Sequence, residues 1–128
     1  MGNNMPKPIL IIGTERSGKS LAAKGVSTDY KETVIVDGSY WGQKTYLFQA
    51  CRSNTDCVII DELDNYKDAE HLYSRIKDGV RVQVSGLKSV VIYPKIVMVA
   101  WIGSLDGLQI VESVKEIFDI IIIGGSNV

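Results

Sequence analysis

Short apolar runs punctuate this chain at regular intervals, and most of them are continuous rather than alternating. Pro8-Ile9-Leu10-Ile11-Ile12, Thr33-Val34-Ile35-Val36, Asp56-Cys57-Val58-Ile59-Ile60-Asp61, Ile96-Val97-Met98-Val99-Ala100-Trp101 and Phe118-Asp119-Ile120-Ile121-Ile122-Ile123 are of this kind. Runs of four to six such residues, bounded by Gly, Pro or Asp, predict strands 1 to 5, covered on both faces. Between them the spacing becomes helical. Helices are expected from about Gly18 to Gly25, from Tyr40 to Cys51, from Tyr66 to Lys77 (Tyr66, Ala69, Leu72, Ile76) and, briefly, over Leu108–Lys115. Strands alternating with helices imply a parallel sheet with helices on both faces. One segment breaks the rhythm. Val80-Arg81-Val82-Gln83-Val84 alternates with period two, Ser85 to Lys88 can turn it, and Ser89 to Tyr93 can return. This predicts a β-hairpin inserted before strand 4.

Composition narrows the class without naming a function. The 128 residues are 45% hydrophobic and 23% charged, which suits one globular domain over residues 1–128. A net charge of −1 gives no global field toward nucleic acid or a lipid surface. The first eight residues lack the apolar region of a signal peptide, and Pro6 stands where a myristoylation signal wants Ser or Thr. The longest apolar run, around Ile120–Ile123, is too short to span a bilayer, so no membrane partner is expected. Cys51 and Cys57 match no metal or redox spacing. Two buried thiols in a reducing cytoplasm is the expectation.

Candidate chemistry centres on Gly13-Thr14-Glu15-Arg16-Ser17-Gly18-Lys19-Ser20, which fits G-x-x-x-x-G-K-[ST], the Walker A or P-loop pattern. The glycines let successive backbone N–H groups point at phosphate oxygens. Lys19 would reach the β- and γ-phosphates, and the Ser20 hydroxyl would ligate Mg²⁺. The helix beginning near Gly18, with Leu21 in its first turn, would aim its positive end at the same anion. Glu15 would repel a triphosphate if it faced it, so it is expected to point to solvent beside Arg16. The strand before and the helix formers after supply the setting this motif requires.

Strand 3 ends Val58-Ile59-Ile60-Asp61-Glu62, the Walker B form. Asp61 would hold the Mg²⁺ shell opposite Ser20, and Glu62 would orient and deprotonate an attacking water. The plainer alternative is that Asp61, Glu62 and Asp64 begin a solvated loop. A water-activating acid favours nucleotide hydrolysis over transfer to a metabolite. No N-K-x-D base-reading motif for guanine is present, and ATP is the default nucleotide by frequency. A small-molecule kinase, with Arg75 and Arg81 on a lid, is a minor alternative.

The combined order of motifs resembles the additional-strand P-loop ATPases, particularly AAA+ proteins and superfamily 3 helicases, over roughly Pro8 to Gly124. The resemblance implies a three-layer α/β/α P-loop NTPase fold, with a five-stranded, mostly parallel sheet in the order 5-1-4-3-2. It also implies that the hairpin touches DNA, with Lys88 at the matching position and Arg81 beside it. Residues 75–95 carry five cations against Asp78. A charge-protected edge hairpin is the plainer reading. Three departures limit the resemblance. Strand 4 ends Val99-Ala100-Trp101-Ile102-Gly103, where a polar sensor is usual, with Ser104 the nearest substitute. Lys115 is the only cation where an arginine finger is usual, and lysine lacks the planar fork. No helical lid is expected before Val128.

The remaining signals are weaker. His71 is the only histidine and reads as a surface residue. Trp41 and Trp101 read as packing residues, with Trp101 near the nucleotide. Asp37-Gly38 reads as a turn facing the ligand crevice. Residues 54–70 are acidic, fitting either a metal-bearing rim or a solvated helix start. The expected function is Mg²⁺-dependent ATP binding with weak hydrolysis, in DNA replication or mobile-element biology, with a DNA or protein partner or as a homo-oligomer. The alternatives are a non-hydrolysing, nucleotide-dependent interaction module and a remnant with an empty phosphate loop.

Overall fold

A computed structural model describes residues 5–39, 47–86 and 88–124. Its centre is a five-stranded sheet built from β1 (Ile9–Gly13), β2 (Thr33–Asp37), β3 (Cys57–Leu63), β6 (Lys95–Trp101) and β7 (Asp119–Ile123). The order is β2-β3-β6-β1-β7, and every ladder is parallel. With β6 as strand 4 and β7 as strand 5, this is the order 5-1-4-3-2. The two remaining strands, β4 (Val80–Ser85) and β5 (Lys88–Ile92), form a separate antiparallel pair just before β6, where the alternating segment was expected.

Burial on both faces explains why the central strands lack alternation. Leu10, Ile12, Val58, Ile60, Ile96 and Met98 point into the larger cluster, while Ile11, Ile59, Val97 and Val99 point into the smaller one. Helix α2 (Asp68–Ser74) and helix α3 (Glu112–Ile117) cover the first face through Ala69, Leu72, Tyr73 and Val114. There Tyr73 meets Phe118 edge-on, at 5.7 Å between ring centroids. Helix α1 (Lys19–Ser27) covers the second face with Ala23, Ala22 and Val26. Val80, Val82 and Ile92 join the larger core, so the hairpin is anchored by its alternate residues, with Arg81 and Gln83 left outside.

Two helices are shorter than their spacing suggests. The Asn65 side chain accepts from the Lys67 N–H, and α2 begins only at Asp68. It ends at Ser74 because the N–H groups of Arg75, Ile76 and Gly79 each donate to the carbonyl three residues back. The helix expected over Leu108–Lys115 instead begins at Glu112, after a turn closed by Leu108 N–H on the Leu105 carbonyl, with Gly107 at φ 68°. Most of the helix expected over Tyr40 to Cys51, including Trp41, lies outside the described residues, as does the chain after Gly124. Among the described residues no helix is long and apolar enough to cross a membrane.

Candidate functional site

The Gly13–Ser20 loop leaves the C-terminal end of β1 and turns into α1, the edge where open parallel sheets present their ligands. Its curl needs unusual backbone. Gly18, the residue before α1, has φ 90°, and Arg16 has φ 61°. A Cβ on Gly13 would collide with the Ser17 hydroxyl, so glycine lets that side chain fold under the loop. The Ser17 Oγ is buried with no hydrogen-bond partner among the described residues. No side chain caps α1, and no acid occupies its first turn. Its first N–H groups are therefore available to an anion. Glu15 and Arg16 face solvent, as expected. Leu21 is 75% exposed, so only its backbone belongs to the helix's anion-facing end. The Lys19 ammonium folds back over the loop, 3.4 Å from the Thr14 carbonyl.

Two strands away, β3 brings Asp61 to the same edge. The Ser20 hydroxyl lies 3.1 Å and 3.4 Å from the two Asp61 carboxylate oxygens and donates to them across 41 residues of sequence. The β3–β6 ladder slips between Ile60 and Leu63. Within the slip Glu62 adopts φ 67°, its N–H donates to Asp61 Oδ1 at 2.8 Å, and its side chain turns to solvent. The bulge thus gives the two adjacent carboxylates different settings. Asp61 is half-buried and bonded, while Glu62 stands exposed at the rim.

Asp37 stands level with Asp61 in the β2–β3 ladder. The Ser39 hydroxyl and N–H both donate to Asp37 and hold its carboxyl below the usual range. Gly38 matters for a reason its turn signal did not carry. A Cβ there would come within 2.7 Å of the Asp61 carbonyl, so glycine lets the end of β2 press against the site's own backbone. Trp101 pairs with Gly13 in the β1–β6 ladder and is 45% exposed, and the Ile102 N–H donates to the Gly13 carbonyl at 3.0 Å. The end of β6 is therefore stitched to the loop's first residue.

Other candidates lie apart from this edge. Ser104 Oγ accepts from the Asp106 N–H within its own turn. Lys115 is exposed, 4.0 Å from Glu112 one helical turn earlier. Arg81 donates to Ser89 Oγ across the hairpin, and Lys88 is exposed at the start of β5. His71 is on the surface. Cys51 and Cys57 are free and buried, and burial pushes both thiols up, Cys51 to about 11.

The donors fit a hard cation. A hydroxyl and a carboxylate suit Mg²⁺, which commonly takes one or two protein oxygens and fills its octahedron with phosphate and water. Among the described residues no group of three His, Cys, Asp or Glu side chains could bind a metal without such help. A scan against protein-family models returns no match to this chain, and a search of curated proteins also returns none.

Proposed function

We propose that the chain is a Mg²⁺-dependent nucleotide-binding protein of the P-loop class, binding ATP and hydrolysing it slowly. The observation that carries this reading is the Ser20–Asp61 pair, 3.1 Å apart beneath a glycine-rich loop that opens an uncapped helix. On this reading the loop N–H groups, Lys19 and the Ser17 hydroxyl hold phosphate oxygens. Ser20 and Asp61 would hold Mg²⁺, whose chemistry there is to neutralise charge on the β- and γ-phosphates. Glu62, at the exposed rim, would accept the proton of an attacking water. The Lys19 ammonium has only to swing from the Thr14 carbonyl to meet a ligand.

Titration with Mg–ATP tests this. We expect binding by the native chain and a loss of at least about tenfold for Lys19→Ala, the scale of one charge-assisted phosphate contact. Equal binding, or none by either, overturns it.

A second reading has its own support. β6 ends at Trp101 with Ile102 next in the chain, so its end carries apolar side chains and no polar one, and Ser104 is engaged in its own turn. These features favour a nucleotide-dependent interaction module over an efficient ATPase. If Glu62→Gln leaves phosphate release unchanged while ATP still binds, the module reading holds. Work on DNA, through Arg81 and Lys88, is a further part of the proposal, tested by loss of DNA binding in Lys88→Ala.

A further inference from the structure

Strand β7 closes one end of the five-stranded sheet, with β1 on its inner side. No described strand pairs with its outer edge. One bond fixes which backbone groups that edge presents. The Asp119 N–H donates to the Pro8 carbonyl at 2.9 Å, toward β1. Backbone groups alternate in direction along a strand, so Ile121 and Ile123 also turn inward. Ile120 and Ile122 then present their N–H and C=O groups outward.

The side chains of this edge are apolar on both faces of the sheet. Ile121 pairs with Ile11 and shares the face of α1, where it is 38% exposed. Ile122 pairs with Ile12 and shares the opposite face, where it is 49% exposed. Natural edge strands are blunted by lysine, proline or a bulge. Ile120–Ile123 has none of these, and the β1–β7 ladder runs without a slip. The one charge of the strand, Asp119, lies 3.3 Å from the Lys7 ammonium of the same chain. The other end of the sheet differs. Of β2, only Ile35 is a large exposed hydrophobic, and that strand ends in the Asp37 carboxylate.

We infer that the outer edge of β7 is the interface with a second copy of this chain, which joins antiparallel and makes one continuous sheet of the two. The edge is its own complement. About a two-fold axis through Ile121, Ile120 of each copy faces Ile122 of the other, and their outward N–H and C=O groups bond reciprocally. Ile121 faces Ile121 in the closer, non-hydrogen-bonded pair. Asp119 faces Ile123 at each end, so the two carboxylates stand about 13 Å apart and like charges do not meet. The interface uses no side chain of the Gly13–Ser20 loop and neither Ser20 nor Asp61, so it stands whether or not ATP binds.

Sedimentation equilibrium of the full chain without nucleotide, from about 10 μM to about 1 mM, should fit a monomer and a dimer with nothing larger. Ile122→Lys, which charges the edge, should weaken association at least about tenfold with unchanged circular dichroism. Lys19→Ala should associate like the native chain. Cysteine substitutions read the register, even if Ile122→Lys loses its fold, because Cys51 and Cys57 are buried. With diamide as oxidant, Ile121→Cys should cross-link into a dimer, since the facing Cα atoms of that pair lie about 4.5 Å apart, within disulfide reach. Ile123→Cys should not, since its counterpart lies about 13 Å away. A native chain that stays monomeric, equal association in a folded Ile122→Lys, or cross-linking at 123 as readily as at 121 would each overturn the proposal. So would species that grow beyond the dimer, the result of pairing β7 with β2 of another copy.

Discussion

Glu62 and Arg16 are the two non-glycine described residues with positive φ, and both sit in the candidate site. Left-handed backbone costs an ordinary residue about 1–2 kcal/mol, and such strain concentrates where geometry serves function. For Glu62 the cause is the ladder slip that turns its carboxylate out past Asp61. Glu62→Gly removes the clash but gives the unfolded chain more freedom, a loss of about 0.4–1 kcal/mol. Its stability in urea should therefore stay within about 1 kcal/mol of native. On the proposed reading its ATP turnover should fall to background, so strain and chemistry separate at one position. Gly18 is the converse case. Nothing stands within 4 Å of the Cβ it lacks, yet its φ is 90°. Gly18→Ala should thus cost about 1–2 kcal/mol by conformation alone, together with weaker ATP binding.

The buried thiols make a prediction with a defined sign. Burial raises Cys51 to about 11, above its unfolded value of about 8.5. The folded state then holds the proton more tightly than the unfolded state. That contribution to stability is complete below pH about 8.5 and is lost as pH rises toward 11. Urea titrations of native and Cys51→Ala chains should show a steeper alkaline decline for the native chain, confined to that window. Parallel declines would contradict it.

At the level of elements, continuous apolar runs such as Ile9–Ile12 and Ile96–Trp101 were legible because central parallel strands bury both faces. The period-two pattern of Val80–Val84 was legible because β4 buries only Val80 and Val82. Helix ends were less so. The Asn65 side chain and the tightened turn after Ser74 decide the limits of α2, and hydrophobic spacing does not record either. Ser20 and Asp61 were legible as a pair through their motifs. The collision that makes Gly38 necessary depends on a tertiary contact that leaves no spacing signal. Gly79 shows the same limit. It has φ 117°, and a Cβ there would strike Val91 and come within 3.0 Å of the Tyr93 ring. Strain and overpacking should each cost about 1–3 kcal/mol. Gly79→Ala should therefore lose about 2–4 kcal/mol in urea and disorder the β4–β5 pair first, visible as lost amide-exchange protection at Val82 and Val90.

Across the whole molecule the two faces of the sheet are unequally covered. Among the described elements, α2, α3 and the hairpin pack on one face, while α1 alone packs on the other. Ile35 and Ile121, on the flanks of that second face, stay 54% and 38% exposed. The thinner layer should open more readily, because fewer apolar contacts resist it. It is also the layer that carries Lys19 and Ser20. A ligand bridging Ser20 on α1 and Asp61 on β3 would tie this helix to the sheet and stabilise the chain by mass action. At a concentration one hundred times its dissociation constant, Mg–ATP should add about 2.7 kcal/mol, or roughly 8–13 °C in Tm for a chain of this size. Amide-exchange protection should rise most at Ala22 and Ala23. Lys19→Ala should lose most of this shift. Arg52→Gln with Arg81→Gln should keep it in full, since neither side chain lies at the Ser20–Asp61 edge and substitutions far from a site with no shared partner act independently. If the arginine variants abolished the Mg–ATP shift, the two ends of the molecule would be coupled, and the assignment of the added stability to the tie between α1 and β3 would have to be abandoned.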